Sequence, residues 1–187
     1  EIDDLCWLVD CALQSTEKNL ALDAASPEVI EQAANHLNGR RPWLFNSIKA
    51  EEEIMEQGLS LAARHGVPII ALAMDKRGIP PQAGDRIDIC RHIYDAAQKK
   101  GIEPQNLFFD PLVLPISADV SQGLVTFEVI RGIKERCPGA RTTMGLSNVS
   151  HGLKKRAHIN SAFLVAALSH GLDSAICDPS NKRIARA

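Results

Sequence analysis

The stretch LFFDPLVLP, residues 107–115, combines a short apolar run, an acid at the end of that run and two prolines. A short apolar run bounded by turn signals is typical of a buried strand in a parallel sheet. Proline at position 111 disfavours a helical conformation for Asp110, so this acid does not cap a helix that begins here. Asp110 is therefore the strongest single candidate for a ligand-binding residue.

Five further apolar segments follow the same pattern, and helix-like stretches lie between them. The predicted strands cover residues 20–22, 43–45, 68–74, 107–109, 142–146 and 172–177. The predicted helices cover residues 27–37, 50–65, 85–100, 123–136 and 158–170. The first of these helices has an N-cap, a first-turn proline and a first-turn acid in Ser26, Pro27 and Glu28. Regular alternation of strand and helix predicts an α/β fold with parallel strands covered by helices.

Each predicted strand runs into an acid or an amide. These residues are Asp23, Asn46, Asp75, Asp110, Asn148 and Asp178. An open doubly wound sheet gathers its ligand groups at one switch point, whereas a (β/α)8 barrel collects them from every strand around a single mouth. We therefore predict a TIM barrel. The alternative is that some of these side chains only cap the next helix, which explains Asp75 and Asp178 well enough.

Composition limits the classes of function. The 187 residues suit one domain, residues 1–187, and a formal net charge of −2 favours neither nucleic acid nor an anionic membrane. The five cysteines form no CxxC pair and share no ligand spacing with histidine. We therefore expect no disulfide framework, no protein-bound metal and a cytoplasmic location. No apolar run approaches the roughly 18 residues of a membrane span.

The two ends of the sequence suggest a fragment of a longer chain. The first residue is Glu1 rather than methionine, and residues 179–187 resemble the opening turn of a helix. The strands predicted at residues 20–22 and 172–177 would each present an unpaired edge, which soluble proteins normally avoid. We therefore expect the native polypeptide to be longer at both ends.

Five segments together carry a resemblance to a known family. They are LALDAAS (20–26), WLFNSI (43–48), ALAMDKRGIP (71–80), FFDPLVLPIS (108–117) and TTMGLSNVSHGL (142–153). In these segments the chain is similar to the methyltetrahydrofolate:corrinoid methyltransferases, to which the pterin domain of cobalamin-dependent methionine synthase is closely related. The resemblance implies a pterin-binding barrel of the dihydropteroate synthase-like type, usually a homodimer. The six strands then correspond to the third to the eighth, and the first two strands and most of the last helix are absent.

The resemblance also implies an activity and its binding residues. A methyl group passes from N5 of methyltetrahydrofolate, the donor, to the Co(I) centre of a corrinoid, the acceptor, which a partner protein carries over the barrel mouth. A pterin ring presents an N–H and an amino group side by side, so one carboxylate accepts both. The family places this acid in its DPL motif, here Asp110. Asp23 and Asn46 match further pterin contacts of the family.

Asn148, in the motif GLSNVS, corresponds to the family's residue beside N5 of the folate. An unprotonated tertiary amine is a poor leaving group, so the enzyme must help to place a proton or hydrogen bond on N5. An amide is too weak an acid to supply the proton, so Asn148 is expected to be catalytic as a hydrogen-bond donor.

Two nearby positions depart from the family pattern. His151 stands where some relatives carry glutamine beside the folate, and it either assists proton delivery or is a solvated loop histidine. Lys154, in the basic run at residues 154–156, stands where relatives often have proline. It faces the folate tail, an acidic partner or solvent.

Two other functions stay open at this point. One is dihydropteroate synthase activity, which needs an anion site for a pyrophosphate. No matching basic signature follows the last predicted strand, where Asp178 and Pro179 stand instead. The other is a non-catalytic pterin-binding subunit of a corrinoid complex, against which the presence of Asn148 argues.

Overall fold

The strands form one parallel sheet whose spatial order follows the chain. In the computed structural model, which describes residues 2–186, the strands are β1 (Leu20–Asp23), β2 (Trp43–Ala50), β3 (Ile69–Asp75), β4 (Leu107–Asp110) and β5 (Arg141–Thr142). Each strand pairs in parallel with the next, in the order β1-β2-β3-β4-β5. A doubly wound sheet reverses its order at a switch point, so this unbroken order favours the predicted barrel.

Six α-helices lie within the described residues. They are α1 (Ile2–Ser15), α2 (Pro27–Leu37), α3 (Glu52–His65), α4 (Ala83–Lys99), α5 (Gln122–Arg136) and α6 (Arg156–Ser169). Helix α2 begins as predicted, with Ser26 Oγ accepting a hydrogen bond of 3.2 Å from the Glu28 N–H. Helix α1 lies in a stretch for which the sequence predicts no element. Between residues 2 and 186 no helix is both long and apolar enough to cross a membrane.

Alternate residues of the strands face the helices and form the core. Five of these side chains are at most 2% exposed and belong to one apolar cluster, namely Leu22, Phe45, Ile69, Ala71 and Phe109. Fully burying one such large side chain contributes about 1.5–3 kcal/mol. The intervening residues of each strand point to the opposite face, which is the interior face of a barrel.

The strand predicted at residues 142–146 is shorter than expected. Only Arg141–Thr142 has strand geometry, and the chain then turns into the 3-10 helix Leu146–Ser150. The motif GLSN therefore lies on a turn above the end of β5, and Asn148 belongs to that turn.

The strand predicted at residues 172–177 is wrong in extent, because only one parallel bridge forms, between Gly145 and Ile176. The Asp173 carboxylate accepts the Thr142 N–H at 2.6 Å, in place of a backbone carbonyl of a neighbouring strand. Backbone pairing begins after this contact, where the N–H groups of Ser174 and Ile176 donate to the carbonyls of Thr142 and Met144 at 3.1 and 2.8 Å. The sequence predicts the opening turn of a helix at residues 179–187. The structure has a 3-10 turn at Ile184–Arg186 instead, and residue 187 lies outside the described residues.

Candidate functional site

Three strands place polar side chains on the interior face of the sheet. Asp23 pairs in register with Asn46. Asn46 pairs with Ile70, which in turn pairs with Phe108. Paired residues of neighbouring strands share a face, as do residues two apart in one strand, which adds Asp110 to the set. The three polar side chains predicted for binding therefore share the face opposite to the packed core.

Asp110 is a buried acid. Its side chain is 8% exposed, and its Oδ1 accepts the Leu112 N–H at 2.8 Å. Burial raises the pKa of Asp110 to about 6, although the N–H groups of Leu112 and Gly145 act to lower it. Among residues 2–186 no cation forms a salt bridge with this carboxyl group. The carboxylate therefore keeps acceptor capacity for donors on a ligand.

The 3-10 helix Leu146–Ser150 carries Asn148 close to Asp110. The side chain of Asn148 is exposed. Gly145 links the two residues, because its N–H faces the Asp110 carboxyl group and it lies beneath the Asn148 amide. A Cβ added at Gly145 would lie 3.1 Å from Nδ2 of Asn148. The missing side chain at residue 145 thus allows the amide to approach the backbone beside Asp110.

Arg156, the first residue of α6, holds this turn. Its Nη2 donates to the carbonyl oxygen and the hydroxyl of Ser147, each at 2.7 Å, and its Nε donates to Ser150 Oγ at 3.0 Å. The other two residues of the basic run, Lys154 and Lys155, are exposed. The run therefore divides into two solvated lysines and one arginine that fixes the turn.

A cleft of about 330 Å3 opens at the carboxyl ends of β1 and β2. Its lining includes Asp23, Ser47, Lys49 and Leu72. Asp23 is exposed and Asn46 is half-buried. The pairing of β2 with β3 shifts register after Asn46, a bulge that brings Ser47 into the lining. Ser47 is absent from the sequence prediction because strict alternation gives no sign of a bulge.

His151 follows the turn directly and is exposed. Its N–H donates to the Asn148 carbonyl at 3.1 Å, and its own carbonyl accepts the hydroxyl of Ser117 at 2.7 Å. Its backbone therefore ties the end of the turn to the loop after β4, while the ring remains on the surface.

Two of the strand-end acids serve local structure. Asp75 binds the side chain of Arg77, with Oδ2 to Nη2 at 2.7 Å, and these hydrogen bonds lower the pKa of Asp75. Asp178 accepts the N–H and the hydroxyl of Ser180 at 2.9 and 2.7 Å. Both acids therefore stabilise local turns two residues on, and neither caps the next helix as the alternative reading expected, since the N-cap of α4 is Gln82 and the turn after Asp178 begins only at Ile184.

Arg86 is absent from the sequence prediction. Its side chain is fully buried, and it donates to carbonyl groups in the loops after β3 and β4. The sequence carries a signal for it, namely a charged residue at helical spacing among apolar ones. The buried stripe of α4 includes Ala83, Arg86, Cys90, Ile93 and Ala97.

The chain is similar in sequence to a known family and to characterised proteins. The model of the family described as "Pterin binding enzyme" matches residues 1–178. The methylcorrinoid:tetrahydrofolate methyltransferase of Eubacterium limosum is 29% identical over 184 residues, covering 97% of this chain and 67% of that protein. A methionine synthase of Mycobacterium tuberculosis is 31% identical over 191 residues, covering 96% of this chain and 16% of that protein. The resemblance drawn from the sequence motifs is thereby confirmed.

Solved structures establish the fold. A dihydropteroate synthase of Xanthomonas albilineans, in complex with indole-2-carboxylic acid and 6-chloroguanine, matches with a TM-score of 0.73 at 16% identity. The match covers 100% of this chain and 68% of that structure. The predicted barrel of the dihydropteroate synthase-like type is confirmed, and the chain spans about two thirds of such a barrel.

Proposed function

This chain belongs to the family of pterin binding enzymes, and we propose that it transfers a methyl group between N5 of a tetrahydrofolate and the cobalt of a corrinoid. In the direction expected from the sequence, methyltetrahydrofolate is the donor and the Co(I) corrinoid the acceptor. The Eubacterium limosum relative is named for the opposite direction. Because a catalyst that stabilises one transition state accelerates both directions, the substrate concentrations set the net direction.

The observation that carries the proposal is the buried carboxylate of Asp110. Burial disfavours its ionised form, and a ligand with paired N–H donors would offset that cost. The pterin ring has such a pair in its ring N–H and its exocyclic amino group. Asp23 and Asn46, on the same face of the sheet, are the further proposed contacts of the ring.

Asn148 is the proposed catalytic residue. Its exposed amide lies over Gly145, whose N–H faces the carboxyl group that would hold the pterin. A hydrogen bond from Nδ2 to N5 stabilises the developing amine as the methyl carbon departs, and the proton comes from solvent. His151, at the end of the same turn, is the proposed residue at the rim of the folate site.

The corrinoid is the second substrate in this proposal, carried by a partner protein that docks over the barrel mouth. Its cobalt supplies the nucleophile, while this chain binds the folate, orients it and holds a hydrogen bond at N5. Residues 1–187 belong to a single pterin-binding barrel domain, of which they supply the third to the eighth strands, and this domain forms a homodimer and works in the cytoplasm. The five free cysteines, at Cys6, Cys11, Cys90, Cys137 and Cys177, are compatible with that compartment.

The test measures methyl transfer itself. The full-length protein is mixed with methyltetrahydrofolate and Co(I) cobalamin, and methylcobalamin is followed by absorbance. The reverse reaction starts from methylcobalamin and tetrahydrofolate. Methyl transfer is expected in both directions. Formation of dihydropteroate and pyrophosphate from a dihydropterin pyrophosphate and 4-aminobenzoate, with no methyl transfer, would instead make the protein a dihydropteroate synthase. Folate binding without either reaction would indicate a non-catalytic subunit.

Replacing Asn148 tests the catalytic role. Asn148→Ala is expected to slow methyl transfer by about tenfold or more and to change the Kd of tetrahydrofolate little, because the lost hydrogen bond strengthens toward the transition state. Asn35→Ala, which removes an exposed amide from α2, is the control and keeps the wild-type rate. Weaker binding with an unchanged kcat would make Asn148 a binding residue.

A further inference from the structure

Arg86 of α4 is a charged side chain enclosed by the protein. Its Nε donates to the Pro80 carbonyl at 2.6 Å, and its Nη2 donates to Gln122 Oε1 at 2.7 Å. Its Nη1 donates to the carbonyls of Pro111 and Leu112 at 3.1 and 3.0 Å. Within the described part of the chain no acid is among these partners, so backbone and amide oxygens alone hold the cation.

A buried cation needs a physical reason. Arg86 is 0% exposed, and desolvation lowers the pKa of its guanidinium. An apolar side chain of similar volume in the stripe of α4 would avoid that desolvation and often stabilises a core more. Both hydrogen bonds of Arg86 Nη1 go to the carbonyls of residues 111 and 112, the two residues directly after Asp110. This placement favours a role in the site rather than in stability alone.

One peptide unit joins Arg86 to Asp110. The Pro111 carbonyl accepts from Arg86, and the N–H of the same unit, which belongs to Leu112, donates to Asp110 Oδ1 at 2.8 Å. A peptide unit is planar and rigid, so fixing the direction of its carbonyl fixes the direction of its N–H. Arg86 is therefore coupled to the Asp110 carboxyl group through a single rigid unit.

The backbone at Leu112 needs this support. Its φ is 61°, in the left-handed region that residues with a side chain rarely adopt. The second hydrogen bond of Arg86 Nη1 goes to the carbonyl of Leu112 itself. The guanidinium therefore binds the carbonyls on both sides of the Leu112 Cα and stabilises the left-handed conformation of Leu112.

We propose that Arg86 is a positioning residue of the folate site, which fixes the Pro111–Leu112 peptide and thereby the orientation of the Asp110 carboxyl group toward the pterin. The inference rests on the proposed function, since it requires Asp110 to accept hydrogen bonds from the ligand. Arg86 makes no contact with the folate. Through Pro80 and Gln122 it also ties the loop after β3 to the start of α5, so the loop after β4 is anchored at both ends.

The test compares Arg86→Lys with Arg91→Lys, a matched control on the same helix whose half-exposed guanidinium pairs with Asp95. Tetrahydrofolate binding is measured by titration calorimetry, and kcat and KM by methylcobalamin formation. Lysine keeps the charge but lacks the planar fork that serves four acceptors at once. In Arg86→Lys the folate Kd and KM are expected to rise about tenfold or more, with kcat changed about threefold or less. Arg91→Lys leaves all three unchanged.

The pH dependence of binding separates positioning from a general loss of stability. A less well-oriented Leu112 N–H supports the ionised Asp110 carboxylate less, so the pH below which tetrahydrofolate binding is lost rises by about half a unit or more. The other groups that face Asp110 are the buried thiol of Cys90 and the N–H of Gly145, and the substitution leaves both in place. Binding weakened by the same factor at every pH would overturn the positioning role.

A second variant keeps the inference testable if Arg86→Lys does not fold. Gln122→Met removes the acceptor of Nη2, together with the two longer hydrogen bonds of 3.4 Å from Gln122 Nε2 to Pro81 and Asp119. It is expected to raise the folate Kd about threefold or more because the guanidinium is held less firmly. An unchanged Kd in Gln122→Met would then overturn the inference. A wild-type protein that neither binds tetrahydrofolate nor transfers methyl groups would instead contradict the proposed function. If the wild-type protein binds tetrahydrofolate and Arg86→Lys binds it with the same Kd, only this inference is contradicted.

Discussion

The carboxyl group of Asp110 is disfavoured by burial when it is ionised. Desolvation raises its pKa from 3.8 to about 6. The folded chain therefore holds this proton more tightly than the unfolded chain, so the free energy of unfolding falls as the pH rises from about 4 to about 6. Well above pH 6 the penalty is fully present and amounts to about 3 kcal/mol.

Asp110→Asn is therefore expected to stabilise the ligand-free protein near neutral pH and to change it little near pH 4. The amino group of asparagine cannot accept the Gly145 N–H, so the expected gain is about 1–2 kcal/mol rather than the full penalty. Urea unfolding at several pH values measures the gain. Asp178→Asn, which preserves the acceptor for Ser180, is the control. A gain that does not grow between about pH 4 and pH 7 would contradict desolvation as the cause.

Gly145 provides a second prediction at a single residue. In Gly145→Ala the new Cβ would lie 3.1 Å from Nδ2 of Asn148, so the exposed amide must shift by a few tenths of an ångström. We expect an almost unchanged melting temperature and methyl transfer slowed about three- to tenfold, because small displacements of a catalytic group are costly. Gly84→Ala is the control, since nothing lies within 4 Å of its added Cβ. A wild-type rate in Gly145→Ala would contradict the proposed role of the amide position.

At the scale of elements, the 3-10 helix Leu146–Ser150 depends on a side chain of α6. Arg156→Met keeps the apolar stem of the side chain but removes its hydrogen bonds to Ser147 and Ser150. We expect kcat for methyl transfer to fall about tenfold, because the turn carries Asn148, while the melting temperature falls only by a few degrees. Lys155→Met, at the exposed neighbouring position, is the comparison. Equal effects of the two substitutions would show that the turn does not depend on Arg156.

Elements that depend on local signals are predicted well from the sequence. Helix α2 is expected at residues 27–37 and observed at Pro27–Leu37, because its cap and its apolar period lie within the segment itself. The strand at residues 172–177 fails for the opposite reason. Its first pairing position is taken by the Asp173 carboxylate, which accepts the N–H of Thr142 more than thirty residues earlier, and no local pattern encodes that contact.

Some residues of the candidate site can be predicted from local sequence signals, and others cannot. Asp110 is identifiable because the proline after it removes the capping explanation. Asp23 and Asn46 share its face, as expected for polar residues at strand ends, although their contacts with a ligand remain a prediction. The roles of Arg86 and Ser47 cannot be predicted from the sequence. The role of Arg86 follows from tertiary packing, and that of Ser47 follows from a bulge in β2.

Across the whole molecule, one face of the strands serves stability and the other serves the proposed binding of folate. The face toward the helices carries the apolar core, including Phe45 and Phe109, whereas the interior face carries the proposed folate contacts. Substitutions on the interior face are therefore expected to change binding more than stability, apart from Asp110, whose burial couples the two.

This alternation links ligand binding to correct assembly. If β4 slipped by one residue against its neighbours, Phe109 would turn to the interior and Asp110 would enter the apolar layer beneath the helices. Such a molecule loses its packing and its acceptor for the pterin in one step. In a refolding mixture, the fraction of chains that titrates with tetrahydrofolate would therefore count the molecules whose strands are in register.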